Sequence, residues 1–253
     1  MGLLSKVKST KTEKVEDRVG GFQVHPSNVY DAIIERAYAY KTDGGTLAVV
    51  IEAEIFPDPD KDETKRYSQT FYVTNGEGEN FYTDGQGKKR LNSSWVIVDA
   101  LAVFATKGEA GLSELETEDI TIKLKRDGKE VNEDVESFFE LEGMECKLAI
   151  QHINKPKSQK VDGKWVELEG EFVDSNEVNH VFNDEGFTVL EFEAELAKPE
   201  FLDKWLKQWQ GKTRTIKPKA KEPTTRTGGT GRSGASARTP SRSAGRTSRF
   251  ERK

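Results

Sequence analysis

A single cysteine, Cys146, is all that the 253 residues carry. An internal disulfide is therefore excluded, and its place in an alternating apolar run reads as a buried, inert thiol. Histidine is nearly as scarce: His25, His152 and His180 stand far apart, none with a Cys or His at ligand spacing, which argues against a zinc site. No motif supports a catalytic Cys–His pair. No run approaches the roughly 18 apolar residues of a membrane span. The opening Met1, Gly2, Leu3, Leu4, Ser5 and Lys6 holds no apolar signal core, and Lys6 stands where the myristoylation pattern needs Ser or Thr. These absences predict an intracellular protein.

Carboxylates are plentiful, but no motif sets them in a catalytic geometry, so neither an enzyme nor a cofactor is predicted. Asp58, Asp60 and Asp62 alternate as calcium ligands do, yet the sixth position is Glu63 and the twelfth Gln69, where Gly and Glu are needed. That segment reads as a solvated hairpin loop. Gly229, Gly231 and Gly234 match a dinucleotide fingerprint by letters only, with no strand before them and no helix after.

Charge is what the chain has, and it is unevenly placed. Of 39 Lys+Arg and 44 Asp+Glu, residues 212–253 hold 13 and 2, a net of +11, which leaves 26 and 42, a net of −16, for the rest. An acidic body thus precedes a basic tail. The tail is rich in Gly, Ser, Thr, Pro and Arg and cannot bury enough surface to offset its ordering entropy, so it is expected to be disordered alone and to hold nucleic acid electrostatically. Residues 1–20 read as a flexible arm, and residues 21–211 as one domain.

Within that domain the periods change in order. Tyr30 to Tyr40 reads as a bent strand, Asp43, Gly44 and Gly45 as a hairpin turn, and Leu47 to Ile55 as a half-buried strand. Tyr67 to Val73 alternates next. Trp95, Val98, Leu101 and Phe104 then fall at helical spacing, with Gly108 just past the end. Further strands follow at Ile120 to Leu124 and Met144 to Ile150. Pro199 opens a second helix, whose aromatic stripe of Phe201, Trp205 and Trp209 is expected to dock against the sheet.

The chemistry concentrates between Tyr67 and Arg90. Tyr72 and Tyr82 lie near the consecutive cations Lys88, Lys89 and Arg90, and rings beside a basic run suit bases joined by phosphates. The structural alternative makes Phe71, Phe81 and Tyr82 core residues and the triplet a solvated turn. A long hairpin around Asp162 and Gly163 is expected to carry Lys155, Lys157, Lys160 and Lys164 at its tip and Trp165 at its base. In an acidic body such a tip is placed to meet a polyanion, unless it only solubilises an edge.

The residues also carry a resemblance. Val29 to Ile34 with Ala37 and Tyr38, Gln69 to Asn75, Gly78 to Tyr82, and Phe201 to Leu206 resemble the single-stranded DNA-binding proteins of tailed bacteriophages over residues 20–211. The resemblance implies a mainly β protein: an OB-like β-barrel with one or two packed helices and disordered termini. It further implies a non-catalytic protein that coats single-stranded DNA in replication, recombination and repair, beside phage replication or recombination proteins and in the host cytoplasm. One departure is the ending, Arg249, Phe250, Glu251, Arg252 and Lys253, where such proteins often finish in an acidic recruiting tail.

Together these readings predict sequence-tolerant binding, with Tyr38, Tyr40, Tyr72, Tyr82 and Trp165 stacking on bases. Arg36, Lys65, Arg66, Lys88, Lys89, Arg90, Lys155, Lys157 and Lys160 would follow the phosphates. A second class stays open: an adaptor whose acidic body binds proteins while the Arg-rich tail alone binds nucleic acid.

Overall fold

Branched apolar residues alternating with polar ones build a three-stranded antiparallel meander, β1 (Asn28–Lys41), β2 (Leu47–Phe56) and β3 (Lys65–Tyr72). The computed structural model describes residues 24–58, 63–126, 129–161 and 164–218. The predicted arm at 1–20, most of the aspartate loop, the two Asp-Gly turns at 127–128 and 162–163, and the tail from Lys219 lie outside the described residues. After β3 come β4 (Phe81–Thr83), β5 (Lys89–Leu91), α1 (Ser93–Ala105), β6 (Glu118–Arg126), β7 (Lys129–Ser137), β8 (Glu145–Val161), β9 (Lys164–Asn183), α2 (Val189–Glu193), α3 (Phe201–Trp209) and β10 (Thr213–Thr215). The protein is mainly β.

The central sheet runs β3–β2–β1–β8–β9, every neighbouring pair antiparallel. Its inner face carries Ile34, Ala37 and Ala39 from β1, Val49, Ile51, Ala53 and Ile55 from β2, Phe71 from β3, and Leu148 and Ile150 from β8. Helix α1 lays Val98, Leu101 and Ala102 on that face, and the buried Cys146 joins them, its thiol pushed up to about 12 by burial. A register shift between Ile34 and Arg36 bends β1 where the adjacent isoleucines predict a bend.

Two structures cover the outer face. At one end α3 buries Trp205 against Phe182 and Ala149, and Trp205 Nε1 donates to Asn179 Oδ1 at 2.9 Å. At the other end the β6–β7 hairpin, paired to β1 only at Tyr38 and Ala39, brings Ile120, Ile122, Leu124 and Val135 over Tyr38 and Val50.

Several expectations need correction. The backbone ladders do not close into a barrel: among the described residues β3 and β9 share no ladder, and the Gln69 side chain spans the seam, its Oε1 accepting from Val178 N at 2.7 Å. Among the described residues there are three α-helices rather than one or two, although α2 is little more than a single turn. Helix α3 starts at Phe201 behind the N-cap Glu200, so Pro199 precedes it instead of opening it. Beyond the predicted boundary at residue 211, β10 pairs in parallel with β8, and the compact unit extends to Pro218. Among the described residues no helix is long and apolar enough to cross a membrane, and no group of three His, Cys, Asp or Glu side chains is placed to hold a metal ion.

Candidate nucleic-acid interface

Strand register decides which predicted residues meet. On the outer face of the meander Tyr40 stands opposite Ala48, which stands opposite Tyr72; the next row is Tyr38, Val50 and Thr70, and the next Arg36, Glu52 and Ser68. Adjacent strands are about 4.8 Å apart, so the backbones beneath Tyr40 and Tyr72 stand about 10 Å apart, with Ala48 fully buried between them. Tyr72 is 55% exposed and Tyr40 half-buried. Beside them the β6–β7 hairpin forms one wall of a groove of about 420 Å3, lined by Tyr38, Tyr40, Val50, Ser68, Thr70 and Leu124 among others.

Tyr38 corrects the expectation for it. At 3% exposure, with burial and then the Glu52 charge pushing its phenol up to about 12, it is packed under the hairpin and has no free ring face.

The β4–β5 hairpin carries the second cluster. Tyr82, 57% exposed, pairs across strands with Arg90, while Lys89 Nζ sits 3.9 Å over the Phe81 ring. Asp84 stiffens the tip, Oδ1 accepting from Gln86 N and Lys88 N and Oδ2 from Arg90 Nε at 3.0 Å; the Lys88 amide and then Arg90 hold its carboxyl below the usual range. Asn92 ties this hairpin to the meander: its N donates to Asn80 O, its Nδ2 to Tyr72 O, and its Oδ1 caps α1 by accepting from Ser94 N. A second tie is the close approach of two loops, where a Cβ on Gly45, at φ +83°, would lie 2.7 Å from Gly76 O. Of the structural alternative, Phe71 is indeed core at 3% exposure, Phe81 is half-buried, and Tyr82 is not core.

Other candidates are not gathered here. Lys65 begins β3 at the end opposite Tyr72, about 23 Å away along the strand, beside His25 and Tyr30. In the β8–β9 arm the predicted order is reversed. Trp165, 73% exposed, pairs with Lys160 close to the tip, while Lys155 lies near the base and Lys157 between them. The paired β9 continues to Asn183, past the point where alternation is readable in sequence.

The predicted cations are also less available than their number suggests. Arg36 pairs with Glu52 at 3.7 Å, Arg66 with Glu35 at 3.8 Å, Arg90 with Asp84 at 3.0 Å, Lys155 with Glu177 at 3.4 Å and Lys157 with Glu171 at 3.0 Å. Exposed pairs of this kind are worth about 0–1 kcal/mol, so a phosphate can displace the carboxylate.

Sequence reading missed Gln69, Asn92, Gln151, Asn179 and Arg214, which build or border this surface. Asn92 was legible as an N-cap ahead of two serines and Trp95. The glutamines and Asn179 carry only the weak signal of an amide inside a strand.

Compared with known proteins, the chain matches no family model, and no curated protein matches it.

Proposed function

We propose that this protein binds single-stranded DNA without sequence preference and without catalysis, as an OB-like domain whose sheet remains open at one seam. The observation that carries the reading is the row Tyr40, Ala48, Tyr72 beside an open groove. Two rings with a wet, polar tip on a sheet face are what a splayed base stacks on, and each stacked base contributes about 1–3 kcal/mol. Three features support the OB-like assignment: the meander, a helix between its third strand and the next long strand, and a strand pair joined back to β1. Lys88, Lys89 and Arg90, next to Tyr82, extend the path electrostatically, with phage replication or recombination proteins as the proposed partners.

A tyrosine and tryptophan fluorescence titration of the full chain with oligo-dT and with duplex, at several salt concentrations, tests the reading. Preference for the single strand that drops in the Tyr40→Ala and Tyr72→Ala variants supports it; equal affinity for duplex in all three proteins overturns it.

One observation favours a second reading. Five predicted cations are engaged by carboxylates, in a body that is net −16 outside residues 212–253. An adaptor whose tail alone holds nucleic acid fits that balance. A chain ending at Pro218, which keeps β10, separates the two: the groove reading retains most single-strand affinity with a smaller salt slope, and the adaptor reading loses nearly all of it.

A further inference from the structure

A second cavity lies beside β3. Ser68 and Thr70 line both it and the groove, and the second, about 530 Å3, lies at the seam where β3 and β9 share no ladder. Four amide side chains line it, and one of them, Asn176, is satisfied at both ends, its Nδ2 donating to His25 O and Gln151 O and its Oδ1 accepting from His25 N. Gln69 Oε1 accepts from the Tyr67 hydroxyl and from Val178 N, Asn179 Oδ1 accepts from Trp205 Nε1, and Gln151 Oε1 accepts from Arg214 Nη1. The oxygens of the other three are thus engaged by the protein, so what these side chains still have to offer a ligand is a nitrogen donor. Gln151 makes the case most sharply: it is 0% exposed, and its Nε2 has no hydrogen-bond partner. A buried donor left unpaired is a standing destabilisation that a ligand oxygen removes.

Positive charge converges on the same place. Lys155 and Arg214 line the cleft, and the N-terminus of the thirteen-residue α1 brings Ser93 and Ser94 to it with the positive end of the helix dipole. Glu177 is the one lining carboxylate, and Lys155 holds it at 3.4 Å. One unpaired buried donor, Arg214, a Lys155–Glu177 pair and a helix N-terminus favour an anion with several acceptor oxygens. Tyr72 lines the same cleft.

We propose that the seam cleft binds a phosphate of the single strand as it leaves Tyr72, so that stacking and backbone anchoring follow one continuous path; this rests on the single-strand reading above. The same chemistry would suit free phosphate or a mononucleotide, and the test separates these sources. In the full-length protein, Arg214→Ala and Gln151→Leu are compared with wild type and Tyr72→Ala for oligo-dT affinity against salt, with inorganic phosphate and dTMP as competitors. Arg214→Ala is expected to flatten the salt slope by about 0.7, the value for one phosphate contact on a single strand. Gln151→Leu is expected to weaken binding several-fold while moving the thermal midpoint little, since the unpaired buried donor it removes offsets the long 3.4 Å hydrogen bond lost from Arg214. A merely structural glutamine would do the reverse. Inorganic phosphate and dTMP are expected to compete only weakly; if either blocks the cleft at low concentration, the site belongs to a free ligand and the strand assignment is overturned. If Tyr72→Ala weakens binding while neither cleft variant changes it, the cleft proposal falls and the groove reading stands. If wild type itself has no affinity for oligo-dT, both fall together.

Discussion

The two ends of the sheet's outer face share only β1 and meet opposite fates. Where the face presents Val29, Ala149 and Phe182, α3 lies on it and excludes water with Trp205, Leu202 and Leu206. Where it presents Tyr40, Tyr72, Ser68 and Thr70, only one edge is covered, by the β6–β7 hairpin, and a groove remains. Residues without a polar atom call for a lid, because their exposure costs about 25 cal/mol per Å2. Rings with a hydroxyl and small hydroxylated side chains tolerate water, so a face made of them can stay open and still attract a planar, partly apolar ligand. The contrast teaches that a polar tip lets a ring stay open but does not keep it so: Tyr38, with the same hydroxyl as Tyr40 and on the same face, is packed because the hairpin lies over it.

The largest test of that contrast is Trp205→Ala. It removes a ring that is 3% exposed together with its hydrogen bond to Asn179, and should destabilise the protein by about 3–5 kcal/mol in denaturant titration. Single-strand affinity measured where the variant is still folded should fall much less than in Tyr72→Ala, because only the tether on Asn179 at the seam is lost. A drop equal to that of Tyr72→Ala would mean that the two ends are one functional surface. Next come the two tyrosines of the open end. Tyr38→Ala should cost about 3 kcal/mol of stability, because the ring is buried under the hairpin. Tyr72→Ala should leave stability within about 0.5 kcal/mol and lower single-strand affinity by about 1–3 kcal/mol. If the two variants behave alike in both assays, the distinction between packed and open ring is lost.

That distinction is also where the sequence stops being readable. Alternation places Tyr38, Tyr40, Val50, Thr70 and Tyr72 on one face, and β1, β2, β3 and α1 follow directly from such periods and from the Asn92 cap. Alternation says nothing of what lies above a face. Tyr38 is buried because a hairpin remote in sequence packs on it, and β7 in that hairpin, with only Val131 and Val135 among polar residues, gives almost no period of its own. The second half of β9 hides for a similar reason: Asn176, Glu177 and Asn179 break the apolar rhythm because they line or brace the seam. Cations are visible in a sequence but their partners are not; Arg36 meets Glu52 only through the β1–β2 register.

Acid sharpens the comparison from the covered end. Glu191 is buried at 9% exposure and accepts from Thr188 N, Glu200 N and Phe201 N, thereby closing the α2 capping box and satisfying the first amides of α3. Burial alone would raise its pKa, but these hydrogen bonds outweigh it and hold the carboxyl below its ordinary value. A group depressed in the folded state contributes stability that is complete above the unfolded pKa of about 4.5 and is lost as pH falls through the lower folded value. Glu191→Gln should therefore cost about 1–3 kcal/mol at neutral pH and flatten the acid limb of the stability curve below the ordinary carboxylate range. An unchanged acid limb would place the acid sensitivity of the α3 end elsewhere.

The smallest expected effect is the most particular to the open end. Arg36 and Glu52 sit side by side in the row beyond Tyr38 and Val50, 3.7 Å apart and partly solvated, so the pair contributes no more than about 1 kcal/mol. Arg36→Ala should thus barely move the unfolding midpoint, while flattening the salt dependence of oligo-dT binding by about 0.7 if Arg36 reaches a phosphate. Glu52→Gln reverses the logic: it removes a carboxylate that competes with phosphate for the guanidinium, so single-strand affinity should rise by a factor of about 2–5, at most the value of an exposed pair. On a face that packs against protein, such a neutralisation would leave affinity for a polyanion where it was. A gain with Glu52→Gln and a loss with Arg36→Ala, in a protein whose stability has not shifted, would trace the strand across this row rather than along the tail alone.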